Sequence, residues 1–451
     1  MEEDLDSSGA GGRRPGPSSP GRERPGHGRE LLVVALICLL AFLVRLAYVL
    51  TLPPRFFWFD GQHYSRMAAG ILAHGTYLND RGHPSAYWPP GYPLFLAAIY
   101  RCFGVSIVAV RVVQCGLGAV TVAVVHGIAR RVLDRGGAWL AALATAAYPL
   151  FIYSAGADMP VTLQIALVAG GVLLAIVAVE RDSAWAALAA GLLGAWAALV
   201  AGSALPAFLL LALWIAWCRD GRLARLPGPV APRRGARSLR LALVCLLPIV
   251  VVLGGWTARN QRLLGHPVLV STNGGYNLWL GNHPGVSAGT GNRIQALGME
   301  EEAARVWALP GNEATRDSVF ARLALGYIRA DPARFLRLSS GKLLELWAVY
   351  QKPMNEDRPH LGIEMLASIL SYGLLLPFAL VWLLVSLPRS RVAVLVLLLF
   401  IVYSLVHAVI LSKVRFRLPL DPYVIIYGSG GVVASVRALA RRRLAKPPTG
   451  P

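Results

Sequence analysis

The chain has 451 residues, 55% of them hydrophobic and 15% charged, with a mean hydropathy of +0.53. Ordinary soluble domains run at about 45–50% apolar and about 25% charged, so this composition excludes a disordered chain and argues against a soluble one. The net charge is +20, from 44 Lys and Arg against 24 Asp and Glu; in a soluble protein that points to nucleic acid, whereas in a membrane protein it can report orientation.

Residues 1–30 are polar, rich in Gly, Pro, Ser and Arg, and read as a disordered tail. Apolar runs then follow at 31–52, 106–129, 137–154, 160–179, 184–200, 203–218, 240–256, 361–387, 392–411 and 418–436. About 20 such residues span a bilayer, which predicts ten transmembrane helices. A signal peptide is the rival reading of the first run, but Arg45 interrupts it and no small-residue cleavage site follows. The stretch 184–218 reads as two short helices or one long one. Residues 91–103 are too few to cross and predict an interfacial or re-entrant helix.

In this arrangement residues 1–30, 130–136, 180–183, 218–240, 388–391 and 437–451 share one side, where arginines far outnumber acids. The positive-inside rule makes that side cytoplasmic. The opposite side holds two long segments, 53–105 and 257–360, the second of mixed charge with Glu300, Glu301, Glu302, Glu313 and Asp317. The expected fold is an all-α polytopic membrane protein of about ten transmembrane helices, in the plasma (inner) membrane, with both termini cytoplasmic. Its transmembrane domain is 31–436, flanked by the tail 1–30 and a basic tail 437–451, and the outer segments contain interfacial helices. No internal repeat is visible. The five cysteines are scattered without a CxxC pair, which predicts free thiols.

Asp60 opens the first outer segment. After it, Tyr64, Met67, Ala68, Ile71 and Leu72 follow the spacing of an amphipathic helix. Asp158, in Ala157-Asp158-Met159-Pro160, stands at the outer start of the fourth run. Either acid alone reads as a helix N-cap. Together, at the depth where helices meet water, they read as a site: two acids could bind a cation, or one could act as a base that the other orients.

His83-Pro84-Ser85-Ala86-Tyr87-Trp88-Pro89-Pro90-Gly91-Tyr92-Pro93 reads as a rigid aromatic turn. It is a membrane-interface anchor, or a wall for an apolar tail or a sugar, with His83 and Tyr92 as candidate contacts. His63, His74 and His83 lack metal-binding spacing. The second segment runs through Arg259-Asn260 to Asn277-Leu278-Trp279-Leu280-Gly281-Asn282. This is an ordinary turn-rich loop or a sugar surface, where Asn277 and Asn282 offer amides and Trp279 a ring face. After Asp331-Pro332 an amphipathic stretch to Tyr350 carries Arg334, Arg337 and Lys342, which reads as an interface helix with snorkelling cations. Lys413-Val414-Arg415-Phe416-Arg417 breaks the charge asymmetry by putting three cations on the outer side. Anionic headgroups explain them, and so does a bound phosphate or pyrophosphate.

Taken together these segments resemble the GT-C membrane glycosyltransferases. The nearest likeness is to glycosyltransferase family 39, bacterial relatives of protein O-mannosyltransferases and of the lipid A aminoarabinose transferase. The resemblance rests on Asp60 with Tyr64 and Ala68, Trp88-Pro89-Pro90-Gly91-Tyr92-Pro93, Phe103-Gly104, Arg111, Arg259-Asn260, Asn277 to Asn282, and Arg415-Phe416-Arg417-Leu418-Pro419. It implies transfer of a sugar from a polyprenyl-phosphate carrier to an acceptor hydroxyl on the outer face, with inversion. The acceptor would be a glycan, lipid or protein. In family terms Asp60 matches the first-loop catalytic Asp and Asp158 the second acidic site. The donor phosphate then falls to Arg415 and Arg417, with Arg259 and Lys342. Some GT-C enzymes use a divalent metal, and nothing in the sequence fixes one. The chain departs from the pattern in two places: Gly61 follows Asp60 where protein O-mannosyltransferases have Glu, and Leu199 to Ala204 carries no Arg. A transporter or flippase of lipid-linked sugars, or a non-catalytic membrane subunit, are the other classes; the missing inverted repeat counts against the transporter.

Overall fold

A computed structural model describes residues 27–56, 59–79, 81–218, 232–287, 298–350 and 361–444. Most of the expected N-terminal tail and much of the basic segment 218–240 lie outside the described residues, as do Phe57 and Trp58. Among the described residues the secondary structure is helical, with one isolated antiparallel bridge, Leu78 to Pro84.

The first half contains α1 (His27–Leu50), α2 (Phe59–His74), α3 (Gly91–Phe103), α4 (Ile107–Val132), α5 (Arg135–Ala147), α6 (Pro149–Gly156), α7 (Val161–Arg181), α8 (Ala184–Val200) and α9 (Leu205–Trp217). Then come α10 (Pro232–Leu264) and four outer helices: α11 (Gly274–Asn282), α12 (Met299–Ala308), α13 (Glu313–Ala330) and α14 (Pro332–Leu346). The chain closes with α15 (Leu361–Ser368), a π turn, α16 (Leu374–Ser386), α17 (Arg391–Val409), the single turn α18 (Val414–Arg417) and α19 (Asp421–Leu444).

Every one of the ten apolar runs falls on helix, but not all make full spans. Among the described residues seven helices are long and apolar enough to cross, and an eighth crossing results if the bent pair α5–α6 counts as one. The stretch 184–218 is two helices, of 17 and 13 residues. At about 1.5 Å per residue both fall short of the roughly 30 Å hydrocarbon core. Ala201 is extended between them, and Pro206 in the first turn of α9 has no N–H to continue the ladder. The basic stretch after 436 is no tail at first: α19 continues to Leu444, so Arg437, Arg441 and Arg442 occupy its last turns, where cations favour the helix dipole.

The break between α5 and α6 shows how the bundle tolerates irregular backbone. Pro149 ends the α5 ladder and frees carbonyls that lipid cannot satisfy. Arg45, fully buried in α1, donates to Thr145 O at 3.1 Å and Ala146 O at 3.0 Å. Gly118 makes room, since a Cβ there would stand 2.5 Å from Arg45 Nε. The arginine that interrupts the first apolar run is therefore a cap for a distant helix.

One large apolar core runs through the bundle. The outward faces of α1, α10 and α16 leave leucines and valines exposed, such as Leu36, Leu243, Leu247, Val250 and Leu384, as lipid-facing helices do. At the arginine-rich end, Arg130 pairs with Glu30 and Arg131 with Glu180, each at 2.7 Å, and Arg437 pairs with Asp134. At the opposite end α11, α12 and α13 enclose a small core of their own around Trp279, Met299, Val306 and Phe320.

Candidate active site

The stripe predicted on α2 forms and buries Tyr64, Met67 and Ala68, with α2 packed along α3. Tyr64 meets Trp88 and Tyr92 edge-on at 5.1 and 5.2 Å. Asp60 lies inside the first turn of α2, with 31% of its side chain exposed. An acid there is favoured by the helix dipole. Its Oδ2 stands 3.9 Å from Nη2 of Arg415, itself 29% exposed. Arg415 belongs to α18, a single turn wedged between the end of α17 and the start of α19. Two segments 355 positions apart in sequence, Asp60 and Arg415, thus meet as a loose, water-accessible pair (415 − 60).

Asp158 is near but in a different setting. Its Oδ1 accepts from Arg111 Nη2 at 3.0 Å, and neither side chain has any exposure. Arg111 also donates to Pro53 O at 2.8 Å and Arg55 O at 3.0 Å, the chain that leads into α2. The pair is a sealed buttress beneath Asp60. Gly61 joins the two: a Cβ on it would lie 2.6 Å from Asp158 Cβ and 2.8 Å from Asp158 O. The glycine that departs from the Asp-Glu pattern is required here by this close approach, and no side chain fits.

The candidate cations divide by what they already hold. Arg417 is fully buried; it pairs with Asp421 at 2.9 Å, donates to Leu346 O and Ala348 O, and lies over the Tyr372 ring at 3.5 Å. Its Nη2 has no partner, but the side chain is fully enclosed, so a phosphate reaches it only if the surrounding packing opens. Lys342 donates to Asn282 Oδ1, Val409 O and Ile410 O at 3.1–3.2 Å. An ammonium has three protons, so its donors are committed to the last carbonyls of α17 and to α11; the expectation that it holds phosphate is corrected, to a clasp. Arg259 stacks on Trp256 and donates to Tyr77 O and Ser85 O, each at 2.7 Å, holding the first outer segment in place. Of the four expected cations Arg415 alone faces the site with no carbonyl partner among the described residues.

The expected substrate contacts scatter. Trp279 has no exposed surface; it is the centre of the outer core and donates to Glu302 at 3.1 Å, so it cannot stack on a sugar. Asn282 is equally buried, with its amide on Leu278 O and Val409 O. Tyr92 is buried against Tyr64 and Gln114. His83 is exposed in the turn beyond Asn79, with its backbone N–H on Asn79 Oδ1. Asn277 remains half-buried on α11. In place of these, a run of partly exposed rings leads away from Asp60: Phe59 to His63 at 4.3 Å, His63 to Trp88 at 6.0 Å, Trp88 to Tyr87 at 5.4 Å, Tyr87 to Trp307 at 6.1 Å and Trp307 to Tyr276 at 5.7 Å. Asp60 and Asp317 both raise the pKa of Tyr87, after burial itself.

Sequence reasoning missed several residues. Glu313 accepts from Ser85 Oγ at 2.7 Å, from Thr272 at 3.0 Å and from the Ala86 N–H, stapling the two outer segments together. Glu345 on α14 is half-buried, and burial pushes its carboxyl up while Lys413 and Lys342 oppose the shift. A buried acid on an amphipathic helix gives no signal in a single sequence. Among the described residues no three of His, Cys, Asp and Glu gather as a metal-binding group. Asp158, already on Arg111, does not fit as a partner of Asp60 for such an ion.

Residues 87–251 match the family model of dolichyl-phosphate-mannose-protein mannosyltransferase. None of the curated proteins matches the chain. Among solved structures, the oligosaccharyltransferase AglB of Archaeoglobus fulgidus, in complex with an inhibitory peptide and a dolichol-phosphate, is similar over 94% of this chain and 52% of its own, with 14% identity and a TM-score of 0.50. ArnT of Cupriavidus metallidurans bound to undecaprenyl phosphate aligns over 94% of this chain and 82% of its own, with 17% identity and a TM-score of 0.39. The chain thus spans about half the length of AglB. The GT-C membrane fold expected from the sequence is the fold the chain has.

Proposed function

We propose that this GT-C membrane protein transfers a sugar from a polyprenyl-phosphate carrier to an acceptor hydroxyl, with inversion at the anomeric carbon. The observation that carries the reading is the loose Asp60–Arg415 pair, an accessible carboxylate and an accessible guanidinium at one end of the bundle. The name of the matching family model and the dolichol-phosphate held by AglB support a lipid-phosphate donor. The arginine-rich opposite end supports an orientation with both termini cytoplasmic and the site on the outer face.

The chemistry follows from the two groups. The donor phosphate draws Arg415 toward its oxygens through charge-assisted hydrogen bonds. That frees Asp60 from a 3.9 Å contact too short to hold a sugar between the two. Asp60 then accepts the acceptor's hydroxyl proton as the oxygen attacks C1. The bond from C1 to the phosphate oxygen breaks through an oxocarbenium-like state. Its electrons pass to the phosphate, whose growing charge Arg415 stabilises. Asp158 and Arg111 act at one remove, by holding Gly61 and the chain before α2. The ring run from Phe59 to Tyr276 forms the acceptor-side wall.

The test is transfer from a radiolabelled polyprenyl-phosphate sugar in membranes bearing the Asp60→Asn variant. Loss of transfer with normal protein levels is expected; undiminished transfer by well-folded variant overturns Asp60 as the base.

A further inference from the structure

Two lysines near this site are equally buried, and they differ in one respect. Lys342 and Lys413 each have 6% of their surface exposed. The ammonium of Lys342 is saturated by three acceptors. Lys413 has no hydrogen-bond acceptor among the described residues. It is the extended residue just before α18, two positions from Arg415. Its stem is buried, yet its Nζ keeps some contact with solvent and no protein acceptor holds it, so an incoming anion can complete its surroundings. The charged groups facing it are Asp60 from α2, Glu345 from α14 and Arg415 from α18. Lys342 acts on Glu345 from the same helix, and His407 of α17 packs on the neighbouring Phe416. Asp60 cannot neutralise Lys413 alone, because it also faces Arg415. The two cations share one close carboxylate, and the half-buried Glu345 lies between the two lysines in its electrostatics.

We propose that Lys413 is a phosphate-binding residue of the site, receiving together with Arg415 the phosphate oxygens of the polyprenyl-phosphate donor. This rests on the lipid-phosphate reading above. It assigns to Lys413 the part that the closed environments of Arg417 and Lys342 deny them. Burial pushes the Lys413 ammonium down to about 8, with Arg415 lowering it further and Asp60 and Glu345 opposing. The empty site therefore loses this charge as pH rises through about 8, and an anion bound there restores it. Phosphate binding is strongest below that pH and weakens above it.

The experiment measures binding of undecaprenyl phosphate to the full-length protein in nanodiscs, at pH 7 and pH 9, with undecaprenol and inorganic phosphate as further probes. Lys413→Met is expected to weaken undecaprenyl phosphate at least tenfold at pH 7 and to leave undecaprenol unchanged. Wild type is expected to lose roughly tenfold in affinity between the two pH values, and Lys413→Arg to lose little, since a guanidinium stays charged. Competition by inorganic phosphate that disappears in Lys413→Met supports the headgroup contact independently of the lipid. Wild-type affinity retained in Lys413→Met overturns the proposal while leaving the donor reading intact. An equal loss for undecaprenol marks a packing defect and overturns it as well. A pH fall that persists in Lys413→Arg assigns the titration to Lys342, against the proposal. No binding of undecaprenyl phosphate by the wild type at either pH overturns the donor reading itself.

Discussion

Two arginine–carboxylate pairs lie on either side of Gly61, and they differ in access rather than in chemistry. Asp158–Arg111 is closed at 3.0 Å with no exposure on either side chain. Asp60–Arg415 is open at 3.9 Å with about a third of each side chain in reach of solvent. A sealed pair is stable only while both partners remain, and it can neither take a proton from a substrate nor give up its cation. An open pair is weak, exchangeable and therefore usable. The difference teaches that two acids close in space need not be equally available, and solvent access is what singles out Asp60 for the chemistry we propose.

The sharpest way to break the comparison is on activity. Asp60→Asn is expected to lower transfer by about 10²- to 10⁴-fold, the usual worth of a general base, while moving the thermal unfolding midpoint in detergent little. If instead the midpoint collapses and residual activity is normal, the roles of the two pairs are reversed. Arg111→Ala should show the opposite signature. It leaves Asp158 charged and buried without its arginine, at a cost of about 3–5 kcal/mol, and the Arg111→Gln/Asp158→Asn double variant should recover part of that loss.

Gly61→Ala probes the joint between the pairs. Its Cβ would press on Asp158 Cβ and O at 2.6 and 2.8 Å, and overpacking of this kind costs about 1–3 kcal/mol. Transfer should fall with stability, because Asp60 is displaced; a fully active, fully stable variant contradicts the contact. The smallest effect belongs to the pair at the far end of the bundle, Arg437 with Asp134, where each side chain is about half exposed. Arg437→Gln should shift stability by no more than about 1 kcal/mol, and a larger loss would mean that exposure does not separate the pairs.

Much of the fold was legible because the bilayer imposes it. Apolar runs found helices in every case, and the short run predicted at 91–103 is α3, Gly91–Phe103. Asp331-Pro332 starts α14 as the pattern suggests, with Asp331 accepting from the Arg334 N–H at 2.8 Å. The site was half legible. Asp60 and Arg415 were among the charges marked on the outer side, and they meet. Trp279, Asn282, Lys342 and Arg417 had the same residue types and the same apparent address, yet packing closes them in. Lys413 was visible among three adjacent cations, but nothing in the sequence separates an unpartnered lysine from a saturated one.

The sequence by itself determined the membrane architecture and marked the neighbourhood of the candidate site. Twenty-residue apolar segments and one-sided arginines are local properties, enforced by a solvent that accepts neither bare backbone nor stray charge. Only the tertiary structure decided which charges remain available. Arg45 reaches across to Thr145, Arg111 to Asp158 and Lys342 to Val409. A cation's freedom depends on which acceptors the fold brings within 3 Å of it, and those acceptors lie dozens to a hundred residues away along the chain.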